Sequence, residues 1–127
     1  MIQSAKPRLT AQFKTDDQGD PAFVESNGRK HYQIVFEVEN APNDAYAATF
    51  ELDPTYYDSV RTLPPGADGN FRLEAASYGD YELRVKLRTK TGEVPVMDTL
   101  AHALRMSQKN AVQNEAVREA IAYIAKN

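Results

Sequence analysis

From Tyr81 to Leu87 every second side chain is apolar, and the residues between them, Glu82, Arg84 and Lys86, are charged. Successive side chains of a strand point to opposite faces, so this pattern describes a strand with one buried face and one wet face. The alternation recurs along the chain in Leu9, Ala11 and Phe13; in Tyr32, Ile34, Phe36 and Val38; in Tyr46, Ala48, Phe50 and Leu52; in Phe71, Leu73 and Ala75; and in Val94 and Val96. Ala22 to Ser26 adds a short strand, and Asn27-Gly28 supplies the positive φ angles of a tight hairpin turn into the next one. Val35 makes the second face of the Tyr32–Val38 strand partly apolar, which predicts a central place for that strand. Short strands with turn formers between them predict an all-β chain, an immunoglobulin-like β-sandwich of about seven to eight strands. Ile34, Phe36, Phe50, Leu73, Leu83 and Val85 lie on the apolar sides and form the predicted shared core. Thr55 to Asn70 shows no alternation and reads as a long ordered loop or crossing connection.

The period changes after Met97. Leu100, Ala103 and Leu104 are spaced for a helix that Asp98 or Thr99 can cap, and Val112, Ala116, Ala120, Ile121 and Ile124 form a second stripe. On one straight helix the two stripes point nearly opposite ways, which predicts a break within residues 107–110 and a restart with Asn110 and Gln113 as its capping box. The predicted organisation is a sandwich over residues 1–97 and a C-terminal helical appendage over residues 98–127. A stripe of this kind is buried on the sandwich, on a second copy of the chain, or on another protein.

Composition narrows the function classes. A formal charge of −3 with no run of like charge leaves no electrostatic footprint for nucleic acid. The chain has no cysteine, so neither a disulfide nor a thiolate metal site is available. No apolar stretch approaches membrane-spanning length and the first residues lack the apolar segment of a secretory signal, so a soluble, cytoplasmic protein is expected. Asp16, Asp17, Gly19 and Asp20 make a polar turn whose spacing fits no calcium loop. The basic row Arg84, Lys86, Arg88 and Lys90 is expected to pair across strands with Glu37, Glu39, Glu74 and Glu82. His31 and His102 are the only imidazoles and are read as surface or packing residues. With no nucleophile beside a base and an orienter, the sequence assigns no catalytic residue, metal ligand or cofactor.

Two loop signatures remain, each with an aromatic and a small hydrogen-bonding residue where a strand ends or begins: Leu52-Asp53-Pro54-Thr55-Tyr56-Tyr57 and Ala76-Ser77-Tyr78-Gly79-Asp80-Tyr81. With Leu63-Pro64-Pro65-Gly66 crossing between them, they resemble the YEATS domain, and more closely its prokaryotic form, over roughly residues 31–95. The resemblance implies a non-enzymatic reader. Eukaryotic YEATS domains hold the planar amide of an acylated lysine between two aromatic rings from separate loops, and the motif match carries those roles onto Tyr56 and Tyr78. A flat, neutral amide gains from stacking faces without a counter-charge, and an aromatic pair contributes on the order of 0.5–1.5 kcal/mol beyond its burial. An unmodified lysine would instead carry its charge into an apolar slot.

The same resemblance gives the Thr55 hydroxyl to the amide N–H, and a backbone N–H near Tyr78-Gly79 to the acyl carbonyl, with Gly79 allowing close approach. Asp53 stands where eukaryotic readers carry a histidine, and Ser77 where they carry a glycine. An acceptor-only carboxylate at Asp53 suits a cationic peptide. The expected ligand-binding set is Asp53, Thr55, Tyr56, Tyr57, Ser77, Tyr78, Gly79 and Asp80. The expected partner is a protein or peptide segment, with acylated lysine as the residue read. The alternative is a structural or assembly module without a pocket, acting through a sheet edge or through its C-terminal helices, self-association included; Tyr56 and Tyr78 then simply close the end of the sandwich.

Overall fold

The computed structural model describes residues 6–54, 56, 58–107 and 114–127. Among them, eight strands precede two helices: β1 (Arg8–Phe13), β2 (Phe23–Ser26), β3 (Arg29–Glu39), β4 (Ala47–Glu51), β5 (Val60–Leu63), β6 (Phe71–Ser77), β7 (Glu82–Thr89), β8 (Gly92–Thr99), α1 (Leu100–Ser107) and α2 (Glu115–Lys126). The strands form two antiparallel sheets. In one, β3 is central, as its two-sided apolar pattern predicts, with β6 along one edge and β1 followed by β2 along the other. The second sheet runs β5-β4-β7-β8.

β1 and β2 share one edge of β3 because the Asp16 turn loops out between them. The Asp16 carboxylate accepts from Gln18 N at 2.9 Å and Asp20 N at 3.0 Å, the local bonding that favours Asp in turns. Asn27 (φ 53°) and Gly28 (φ 75°) then close the β2–β3 hairpin in the left-handed conformation read from the sequence. All six predicted core residues are buried, Leu73 being the most exposed at 7%.

The structure corrects four local expectations. β5 lies inside the 55–70 stretch; it is a four-residue edge strand with exposed and half-buried faces, so it carries no apolar period. Its ladder with β4 creates it, helped by the Thr49–Thr62 hydroxyl pair at 3.0 Å. Tyr46 bonds the Arg88 carbonyl through its N–H at 3.0 Å, yet its side chain is 57% exposed, because parity chooses a face and not how far the opposite layer extends. Of the basic row, Arg84 pairs with Glu82 at 2.7 Å and Lys86 with Glu51 at 3.2 Å. Glu37, Glu39 and Glu74 belong to the other sheet's neighbourhood and pair with Arg72, Arg8 and Lys14. Lastly, Asn114 caps α2, its Oδ1 accepting from Val117 N at 3.1 Å; Asn110, Val112 and Gln113 lie outside the described residues.

α1 is described as far as Ser107, and the rest of the expected break, residues 108–110, lies outside the described residues; the N-terminus of α1 is capped by Thr99 Oγ1, which accepts from His102 N at 3.3 Å. It runs beside β1, and Ser107 Oγ accepts the edge amide of Ala11 at 3.1 Å, so the helix covers that edge. Leu100, Ala103, Leu104, Val117, Ala120, Ile121 and Ile124 join the hydrophobic cluster shared by both sheets. Among the described residues no helix is long and apolar enough to cross a membrane.

Candidate functional site

The site forms where β4 and β6 finish and β3 begins. Leu52 N donates to the Ser59 carbonyl at 2.6 Å and closes the base of the β4–β5 loop. Within it Tyr56 N donates to the Asp53 carbonyl at 3.0 Å, a tight turn with Pro54 at the second position, which its fixed φ favours. Facing it, the Tyr78–Tyr81 turn leads from β6 into β7. Two bonds tie this turn to the start of α1: Leu100 N donates to the Tyr81 carbonyl, and Ala101 N to Asp80 Oδ1, each at 2.9 Å.

Between these loops lies a cleft of about 340 Å³. Asp53 and Tyr56 line one side, and Tyr78, Gly79, Asp80 and Tyr81 another. His31 from β3, Ala76 from β6 and Asn127 beyond α2 complete it. The fold therefore brings Asp53, Tyr56, Tyr78, Gly79 and Asp80 together as the motif reading expects. Ser77 is no part of the wall: it is 1% exposed and its hydroxyl bonds that of Tyr56. Thr55 and Tyr57 lie outside the described residues. A second cleft of about 400 Å³ shares Asp53 and Tyr81 and is bounded by Glu51, Glu82 and Arg84.

The tyrosines differ in environment. Tyr56 Oη donates to the Ala76 carbonyl at 2.6 Å, so its single proton is committed and Ser77 Oγ donates to it. Burial pushes the Tyr56 phenol above its ordinary pKa, partly offset by the Ser77 bond. Its ring meets that of Tyr81 edge-on at 5.7 Å. The Tyr81 hydroxyl is buried and has no hydrogen-bond partner of acceptable geometry among the described residues. Burial, reinforced by the adjacent Tyr56 phenol, raises the Tyr81 pKa far beyond the usual range. Tyr78 is held from outside, with the His31 ring edge-on at 5.2 Å and the Arg29 guanidinium 4.6 Å from its centroid. The result is a slot with aromatic sides, one engaged phenol, an imidazole, and carboxylates at Asp53 and Asp80.

No family model matches the sequence, and no curated protein matches it. Solved structures do match. The chain is similar to the Yaf9 YEATS domain recognizing an H3K122suc peptide, at 15% identity over 79% of this chain and 77% of that one, with a TM-score of 0.51. The Yaf9 YEATS domain bound to H3K27ac matches at 16% identity over 79% and 76%, with a TM-score of 0.50. The fold is YEATS-like.

In this YEATS-like sandwich, residues outside the motifs shape the cleft as much as those inside them. His31 lies one step past Tyr32, which pairs with Ser77 at the end of the β3–β6 ladder, and so comes beside Tyr78. Only the pairing register carries that signal, since nothing local distinguishes His31 from the other polar residues of its strand. Tyr81 follows the apolar parity of β7, and its ring packs against the core while also lining the cleft. Asn127 had no sequence signal at all.

Proposed function

We propose that this chain is a non-enzymatic peptide-binding module of the prokaryotic YEATS type, working in the cytoplasm, and that its cleft takes an acylated lysine side chain. The observation that carries the reading is the meeting of Tyr56, Tyr78, Tyr81 and His31 around one open slot at the loop end of a YEATS-like sandwich. Aromatic edges and faces suit a flat, neutral acyl amide, and the slot excludes an unpaired ammonium by its desolvation cost. The proposed ligand set is Asp53, Tyr56, Tyr78, Gly79 and Asp80, with Thr55 and Tyr57 from the loop motif and with His31 and Tyr81 added; Ser77 acts behind Tyr56. Carboxylates at Asp53 and Asp80 favour a basic segment around the modified residue. The two Yaf9 YEATS domains, one recognizing an H3K122suc peptide and the other bound to H3K27ac, are consistent with this reading.

Assembly through the C-terminal helices loses ground because, among the described residues, Leu100, Ala103, Leu104, Ala120, Ile121 and Ile124 of their apolar stripes are already buried within the chain. Sheet edges are the surfaces left to that alternative among the described residues: β2 with Phe23 at 44% and Val24 at 57% exposure, and the edge strands β5 and β8, where Val60 and Met97 are exposed. Calorimetric titration with acetylated, crotonylated and unmodified lysine peptides tests the proposal. Acylated peptides should bind and the unmodified one should not, and Tyr78→Ala should weaken binding several-fold with little change in the unfolding midpoint. Equal or absent binding to all three peptides would discard the acyl-lysine reading in favour of assembly.

A further inference from the structure

The end of α2 meets two of the segments that form the cleft, the start of β3 beside His31 and the Tyr78–Tyr81 turn. On one side Tyr123 Oη accepts a hydrogen bond at 2.9 Å from the backbone N–H of Lys30, the residue between Arg29 and His31. The Tyr123 ring also stands edge-on to Tyr32, 5.8 Å between centroids. On the other side Asn127 rests on Gly79: a Cβ at Gly79 would fall 2.8 Å from the Asn127 carbonyl carbon and 3.0 Å from its oxygen. Gly79 is not among the positive-φ glycines, so what its missing side chain provides is room for Asn127. The residues next to these two contact points, His31 and Tyr78, are the pair that meet 5.2 Å apart in the cleft. α2 is itself fixed from beneath by buried Val117, Ala120, Ile121 and Ile124.

We propose that the end of α2 is a strut that sets the placing of His31 against Tyr78 in the cleft, with Tyr123 and Asn127 as positioning residues acting through Lys30 and Gly79. By linkage, whatever docks α2 favours the binding-competent cleft, and a ligand in the cleft steadies α2 in return. The affinity part of the test rests on the acyl-lysine reading above; the ligand-free part does not.

The experiment uses the full chain and four variants: Tyr123→Phe, Gly79→Ala, deletion of Asn127, and the last two combined. Without ligand, ¹H–¹³C spectra follow the His31 Cε1–H and the Tyr78 ring protons, whose shifts report the mutual orientation of the two rings. Each single variant should displace these signals at temperatures far below the unfolding midpoint. The combined variant should move them no further than the deletion alone, since both changes act at one contact. Affinity for an acetyl-lysine peptide should fall about fivefold in Tyr123→Phe, equivalent to one lost hydrogen bond. Signals that stay at their wild-type positions in Tyr123→Phe and Gly79→Ala, or shifts that add in the combined variant, would overturn the strut. Failure of the wild type to bind any acylated peptide would overturn the functional reading alone, and the ring signals would still decide the strut.

Discussion

Ile124→Ala measures how far α2 belongs to the cooperative core. Ile124 has no exposed surface and sits in the hydrophobic cluster with Phe36, Phe50 and Leu83. The substitution removes three carbons, which at about 0.8 kcal/mol each costs about 2.4 kcal/mol in transfer free energy. The incompletely collapsed cavity raises the total to about 3–4 kcal/mol. A domain of this size has about 5–15 kcal/mol of stability, so the variant should stay folded but lose a large share of it. Urea unfolding followed by far-UV circular dichroism should show a lower midpoint at an unchanged slope, and the thermal midpoint should fall by about 12–16 °C. Arg118→Ala, on the exposed face of the same helix, serves as control and should stay within about 0.5 kcal/mol of wild type. A loss below about 1 kcal/mol for Ile124→Ala would refute the reasoning: α2 would then rest on the sandwich without sharing its core, and residues 98–127 would behave as a separable appendage.

Asp80→Ala should destabilise by about 1 kcal/mol in urea titrations, because its carboxylate accepts the Ala101 amide at the start of α1. Asp80→Asn, which keeps an acceptor, should lose less, and equal losses would show that charge and not the cap is what matters. The raised phenols of Tyr56 and Tyr81 make stability fall in alkali. Unfolded tyrosine releases its proton near pH 10 while the folded groups retain theirs, so the contribution is complete below that pH and declines as pH rises towards the folded values. Tyr81 alone should give a slope of about 1.4 kcal/mol per pH unit above pH 10, and Tyr81→Phe should remove that share while leaving the contribution of Tyr56. Spectrophotometric titration should show the Tyr56 and Tyr81 phenols ionising later in the native protein than in the urea-unfolded chain, and coincident titrations would contradict the burial argument.

Local physics was legible in the sequence. Period-2 alternation is a property of the strand backbone itself, so it marked Ile34, Phe36, Phe50, Leu73, Leu83 and Val85 as core without knowledge of any partner strand. Asn27-Gly28 could be read as a hairpin because only such residues adopt its φ values cheaply, and the helical stripes after Met97 announced themselves by their own period. The loop motifs likewise placed Tyr56 and Tyr78 at strand ends. What the sequence withheld was everything set by pairing at a distance. β5 exists because β4 offers it a ladder, and its own four residues carry no period. His31 enters the cleft because the β3–β6 register ends beside Tyr78, and Tyr123 reaches Lys30 across 93 residues. Asp80 caps a helix whose first amides begin 20 residues later, and Gly79 makes room for a residue at the far end of α2. Tertiary structure alone decided these contacts, because each depends on where two distant segments dock, and docking is settled by the core as a whole and not by the few residues that come to touch.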